Sequence, residues 1–283
     1  MRKQLLISCF AAVLSIAMIP ASADTAAARG AYADVNGIHM YYEEHGPKTG
    51  VPLVLLHGGG STIDVTFGRV LPFLARSHRI IAVEEQGHGR TSDRNAPVRF
   101  ETSADDVAAL LEHLHVPQAD LFGFSNGASV AMQVAIRHPT LVRNLIFASA
   151  MTRRDGARSE LWAFIDKGDF SMMPQPLKDA FLEVTPDPVK LKVMHDKDAA
   201  RMRGFRDVAD QDVKSIRART LVLIGDRDVV RPEHAVELTH LIPDARLMIV
   251  PGGHGDYIGE ALTKPEPANF PELTAAIVAA FIG

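Results

Sequence analysis

An α/β architecture, a mostly parallel eight-stranded sheet with helices on both faces and a helical insertion, is predicted by three features of this 283-residue sequence. Short wholly apolar runs such as Leu53-Val54-Leu55-Leu56 need burial on both faces, which a parallel sheet between helix layers supplies. Segments whose apolar residues recur every three or four positions separate those runs. Glycine-containing turns follow several of the runs, at the strand ends where sheets of this kind carry their reactive groups.

Taken in order, residues 32–43 read as two strands about the tight-turn pair Asn36-Gly37. Residues 53–56 and 79–84 are the next strands. A helix is predicted over 102–115, opened by Thr102 with Asp105 as a partial capping partner and carrying Val107, Leu110, Leu111 and Leu114 on one face. Residues 120–124 form a strand, 126–137 a helix and 144–149 a strand. The last strands fall at 220–224 and 246–250, and a closing helix spans 271–281.

The stretch 151–214 breaks this alternation. It is helix-like, interrupted by Pro174, Pro176, Pro186 and Pro188, and holds twelve basic and twelve acidic side chains, so it presents no net field. It is expected to be a helical cap set into a core of residues 24–150 and 215–283. Its Trp162, Phe164, Met172, Met173, Phe181 and Met194 are candidates for lining an apolar pocket, with Trp162, Met172 and Phe181 foremost, while helical periodicity favours the core of a small helical domain for each.

Residues 1–23 have the pattern of a signal peptide. Met1-Arg2-Lys3-Gln4 is basic, residues 5–19 are apolar, and Pro20-Ala21-Ser22-Ala23 offers small residues before a cleavage that leaves Asp24 first. The alternatives are an uncleaved anchor or a buried first helix. A periplasmic or secreted protein follows, without stable membrane insertion after processing. Cys9 is the single cysteine, so the processed chain would have none, which excludes disulfides, thiolate catalysis and cysteine metal sites. A formal net charge of −4 gives no reason to expect nucleic acid or an anionic membrane as partner. A small-molecule substrate fits better.

Gly123-Phe124-Ser125-Asn126-Gly127 matches G-x-S-x-G at a predicted strand-to-helix junction, where a sharp elbow would expose Ser125. The Asn126 amide would then open the helix and point at a reacting oxygen. A serine hydroxyl needs a base to attack. Among the twelve histidines, His254 stands out because it follows the last strand in Pro251-Gly252-Gly253-His254-Gly255. His57 and His88 are held in glycine-rich turns suited to other duties. An acid must orient the base, and Asp226 and Asp228 both follow residues 220–224; Asp228 is favoured, with Asp226 as a turn former. In His57-Gly58-Gly59-Gly60, Gly59 or Gly60 is placed to give a second amide to an oxyanion.

On these residues the chain resembles the α/β-hydrolase fold superfamily, in its serine hydrolase branch, over nearly all the length after residue 23. The glycine loop at 57–60, the elbow at 123–127, Gly225 to Asp228 and Gly253-His254 appear in the order nucleophile, acid, histidine that this superfamily shows. Gln86-Gly87-His88-Gly89-Arg90-Thr91 resembles its R-G-x-G-x-S turn, with Gln86 where arginine is usual and Glu84 where aspartate is usual. The resemblance implies Ser125 as nucleophile, His254 as base, Asp228 as acid, and the Gly59 and Asn126 amides as oxyanion donors. Cleavage of a carboxylic ester through an acyl-enzyme is the expected reaction, with no metal or organic cofactor. Carbon–carbon bond hydrolysis, aminopeptidase-like amide cleavage and non-catalytic ligand binding are the alternatives. Relatives with an aspartate nucleophile, the haloalkane dehalogenases and epoxide hydrolases, are disfavoured by Ser125.

Overall fold

The computed structural model describes residues 29–263 and 268–283, so the expected signal peptide over 1–23 lies outside the described residues. Eight strands form one sheet: β1 (Arg29–Val35), β2 (Ile38–His45), β3 (Leu53–Leu56), β4 (Ile80–Val83), β5 (Ala119–Phe124), β6 (Val142–Ala148), β7 (Arg219–Gly225) and β8 (Ala245–Val250). Their order across the sheet is β1-β2-β4-β3-β5-β6-β7-β8. The β1–β2 hairpin and the β2–β4 pairing are antiparallel, and every pairing from β4 to β8 is parallel. Asn36 and Gly37 both take positive φ, as the tight hairpin turn requires.

Burial explains the apolar runs. All four residues of β3 are 0% exposed, because helices cover both sides of the strand. Helices α1 (Ile63–Phe67) and α2 (Leu71–Leu74) pack on one face with the closing helix. Helices α3 (Phe100–His113) and α4 (Asn126–Arg137) pack on the other. Each buried Leu or Val side chain contributes about 1.5–3 kcal/mol of gross hydrophobic stabilisation.

Between β6 and β7 the chain forms α5 (Ser159–Lys167), α6 (Gln175–Val184), α7 (Pro188–Arg203) and α8 (Asp210–Lys214). Asp187 starts α7 by accepting the amides of Val189 and Lys190 at 2.9 and 3.1 Å, with Pro188 at the first helical position where no amide is needed. The last two helices are α9 (Pro232–Leu241) and α10 (Phe270–Ile282). Among the described residues, no helix is long and apolar enough to cross a membrane.

Several element boundaries differ from expectation by one to three residues, that of α3 among them. Helix α3 starts at Phe100, not Thr102, and its N-cap Arg99 makes no side-chain cap hydrogen bond. The Phe100 ring packs edge-on against Phe205 at 6.4 Å, so packing against the inserted segment sets the start in place of the capping signal.

Candidate active site

Three strand ends converge on one point. The β5–α4 junction puts Ser125 at φ 54° and ψ −121°, a sparsely populated region for a non-glycine residue that costs on the order of 1–3 kcal/mol. The surrounding backbone enforces it. The Ser125 amide donates to the Ala148 carbonyl of β6 at 2.9 Å, and a Cβ at Gly127 would strike the Leu56 and His57 carbonyls. The second glycine of the motif therefore lets α4 start against the end of β3.

His254 reaches the serine from the loop after β8. Its Nε2 lies 3.1 Å from Ser125 Oγ, and its Nδ1 lies 2.8 Å from Asp228 Oδ1 at the end of β7. Because Nδ1–H donates to the carboxylate, Nε2 is left as the acceptor that a serine proton needs. Asp226 has a separate duty: its Oδ1 accepts the Gly252 amide at 2.8 Å and ties the histidine loop to β7. The two loops come so close that a Cβ at Gly225 would meet the Gly252 and Gly253 carbonyls.

Asp228 is 0% exposed, and burial alone would push its pKa up. The neighbouring His254, with hydrogen bonds from His254, Ser149 and the Val230 amide, holds it below the usual carboxylate range. Burial opposes charge on His254, but the Asp228 carboxylate prevails and raises the imidazole pKa above its ordinary value.

Two residues of this line carry no sequence motif. Ser149, just past β6 with φ 52°, donates its hydroxyl to Asp228 Oδ2 at 2.5 Å. Tyr257, 0% exposed, has its hydroxyl 2.7 Å from Ser149 Oγ. With the Ser149 proton committed to the carboxylate, the tyrosine is the donor there, and burial keeps its own pKa well above 10.0. The only sequence cue for Ser149 was its place at the end of a strand beside β7; Tyr257 offered none.

Of the expected oxyanion donors, Asn126 directly follows the serine and Gly59 packs against Asn126. Asn126 begins α4 and lines the same cavity as Ser125 and His254. The Gly58-Gly59-Gly60 turn packs against it: a Cβ at Gly59 would collide with the Asn126 side-chain amide. The Gly60 amide is already committed to Asp198 Oδ2 at 2.8 Å. His57 is a buried, structural histidine, donating Nδ1–H to the Gly58 carbonyl at 2.7 Å and accepting the Glu85 amide at 3.1 Å. Burial lowers its pKa to about 4. Gln86, in place of the usual arginine, reaches Asp93 at 2.7 Å, and Glu84 binds the Arg90 guanidinium at 2.8 Å, so the altered turn remains internally braced.

The expected pocket residues require correction. The cavity at Ser125, about 60 Å³, is walled by Met151, Leu161, Met202, Val229 and Val230. Trp162 is instead packed against Phe205 at 5.5 Å and donates Nε1–H to the Arg154 carbonyl at 2.7 Å. Phe181 is 1% exposed within a separate cluster containing Val65, Leu191 and Met194. Met172 is 38% exposed. Helix α5 turns Leu161 toward the serine, and its neighbour Trp162 into the core.

A family model described as the alpha/beta hydrolase fold matches residues 51–196. The chain belongs to this family. A non-heme chloroperoxidase of Streptomyces lividans is 35% identical over 117 residues, covering 41% of this chain and 42% of that protein. This chain thus spans less than half of that relative's length in the match. A 2-hydroxy-6-oxo-2,4-heptadienoate hydrolase of Pseudomonas putida is 27% identical over 229 residues, covering 72% of this α/β-hydrolase and 82% of that protein. Among solved structures, an N-acyl homoserine lactone degrading enzyme superposes with a TM-score of 0.66 at 25% identity, covering 87% of this chain and 99% of that one.

Proposed function

We propose that this α/β-hydrolase is an exported serine hydrolase that cleaves a carboxylic ester of a small or medium substrate through an acyl-enzyme. The observation that carries the reading is the unbroken line from Ser125 through His254 to Asp228, at 3.1 and 2.8 Å, with its serine on a strained elbow. His254 takes the serine proton as Ser125 Oγ attacks the carbonyl carbon. The Asn126 and Gly59 amides receive the oxyanion, a contribution of about 2.7–4 kcal/mol for a single donor. As the tetrahedral intermediate collapses, His254 protonates the departing alcohol. Water then enters, gives its proton to His254 and releases the acid by the same steps. Asp228 stays ionised and favours the imidazolium formed in each half. The route draws every proton transfer from these side chains.

The small cavity beside Ser125 suits a short acyl group, and the lactone-degrading structural neighbour supports ester chemistry. The signal-peptide pattern over residues 1–23 supports export; a protein recovered from the cytoplasmic fraction with residues 1–23 still attached would remove that part. A p-nitrophenyl ester series, run beside Ser125→Ala, tests the chemistry. Turnover that falls by at least about 10³-fold in the variant is expected. A folded wild type that releases no nitrophenol from any ester rules the esterase out.

The heptadienoate hydrolase relative favours a second reading, cleavage of a carbon–carbon bond. Faster turnover of aromatic ring-fission products than of any ester would establish it.

A further inference from the structure

The inserted helices bring to the site a carboxylate that the catalytic line does not use. Asp198 on α7 is 8% exposed and serves several partners at once. Its Oδ2 accepts the Gly60 amide at 2.8 Å, and its Oδ1 accepts the Asn126 side-chain amide at 3.4 Å. The Arg201 guanidinium donates to Oδ1, and His88 Nε2 lies 3.5 Å from Oδ2. Arg201 in turn donates to Glu85 after β4 at 2.8 Å, and both are nearly inaccessible, at 6% and 1% exposure. Gly59 is wedged into this arrangement, since a Cβ there would meet the Asn126 amide nitrogen and Asp198 Oδ2.

The need for such a group follows from the turn itself. Three successive glycines, Gly58 to Gly60, have the greatest backbone freedom any tripeptide can have, and Gly60 sits at φ 65°. A donor in an oxyanion pocket is effective only if it is already aimed where charge develops. A buried carboxylate that grips the residue after Gly59 and the side chain of Asn126 supplies, from outside, the rigidity this turn lacks.

We infer that Asp198 is a positioning residue for the oxyanion pocket: one buried carboxylate from the inserted helices holds the glycine turn and the nucleophile elbow together, fixing the Gly59 and Asn126 amides relative to Ser125. The inference rests on the reading of Ser125 as nucleophile. It makes the placement of α7 a condition of turnover, although no α7 side chain belongs to the Ser125–His254–Asp228 line.

The test compares Asp198→Asn with Lys197→Ala in the full chain. Lys197 Nζ ties the same helix to Asp93 at 2.6 Å and the Arg94 carbonyl at 2.7 Å without touching the glycine turn. Four quantities are read: Tm, the rate of Ser125 phosphonylation by a fluorophosphonate, and kcat and KM on p-nitrophenyl acetate. Asp198→Asn should slow phosphonylation and lower kcat by about 10- to 100-fold, with KM changed less than about twofold. Lys197→Ala should leave both rates at the wild-type value. Should Asp198→Asn not fold, Asn126→Ala, which removes the side-chain amide but keeps the backbone amide, carries the same expectation. Wild-type rates in a folded Asp198→Asn overturn the inference. Equal losses in both variants also overturn it, by reducing Asp198 to a tether. A wild-type Ser125 inert to the fluorophosphonate overturns the nucleophile reading, and the positioning role with it.

Discussion

Asp228 and its partners illustrate how single residues set the chemistry. The carboxylate raises the His254 pKa against the effect of burial. Because the base works in its neutral form, kcat/KM should rise with pH through a midpoint above the ordinary histidine value of about 6.5. Asp228→Asn removes the charge while the burial remains, so the midpoint moves to lower pH. The plateau also falls, by about 10³- to 10⁴-fold, because the ring loses its fixed tautomer. A pH–rate profile of both proteins checks the sign, and an unmoved acid limb contradicts it. Tyr257→Phe removes one buried hydrogen bond from Ser149, two steps from the imidazole. A loss of kcat of about 2- to 10-fold is expected, matching a net hydrogen-bond worth of about 0.5–1.5 kcal/mol. At this scale Ser125, Asp228 and His254 were legible because strand-end chemistry constrains local sequence. Ser149 and Tyr257 were not, because they are 108 residues apart and meet only through the fold.

Secondary elements were read from period and turn chemistry, and the reading succeeded where burial is uniform. The strand over 53–56 and the helix over 126–137 match β3 and α4 residue for residue. Helix α3 began two residues early because Phe100 packs on Phe205, a contact no local capping signal encodes. In the insertion, helical spacing identified apolar faces but not what each face meets. Phe181 illustrates the difference: it packs with Val65 and Met194 and is not part of the wall of the Ser125 cavity. Phe181→Ala should therefore lower stability by about 3–5 kcal/mol while the acyl chain-length preference of the folded fraction stays the same. Thermal unfolding alongside the ester series measures both, and an altered preference would return Phe181 to the pocket.

Across the whole molecule, substrate size depends on how the inserted helices meet the sheet. The 60 Å³ beside Ser125 holds roughly two water-sized groups. A larger hollow of about 770 Å³, lined in part by Phe100, Met132 and Phe205, shares Ser129 as a wall with the smaller one. Met202 stands on the small-cavity side. Its flexible thioether side chain is the simplest group to shorten. Met202→Ala should move the best p-nitrophenyl ester toward longer acyl chains, read as kcat/KM against chain length. An unchanged optimum would place the acyl group elsewhere.

The sequence by itself determined the α/β class and singled out Ser125, Asp228 and His254 at three strand ends, side chains that the fold brings within 3.1 and 2.8 Å of one another. Those features depend on short-range rules: apolar runs for strands buried on two faces, glycines where backbones touch, and chemistry at strand ends. Tertiary structure decided which insertion side chains face the serine, where the Ser149 and Tyr257 hydroxyls lead, and how Asp198 meets Gly60 and Asn126. The hydroxyl and Asp198 hydrogen bonds join residues separated by 72 to 138 positions, and no local pattern encodes a distance that only folding closes.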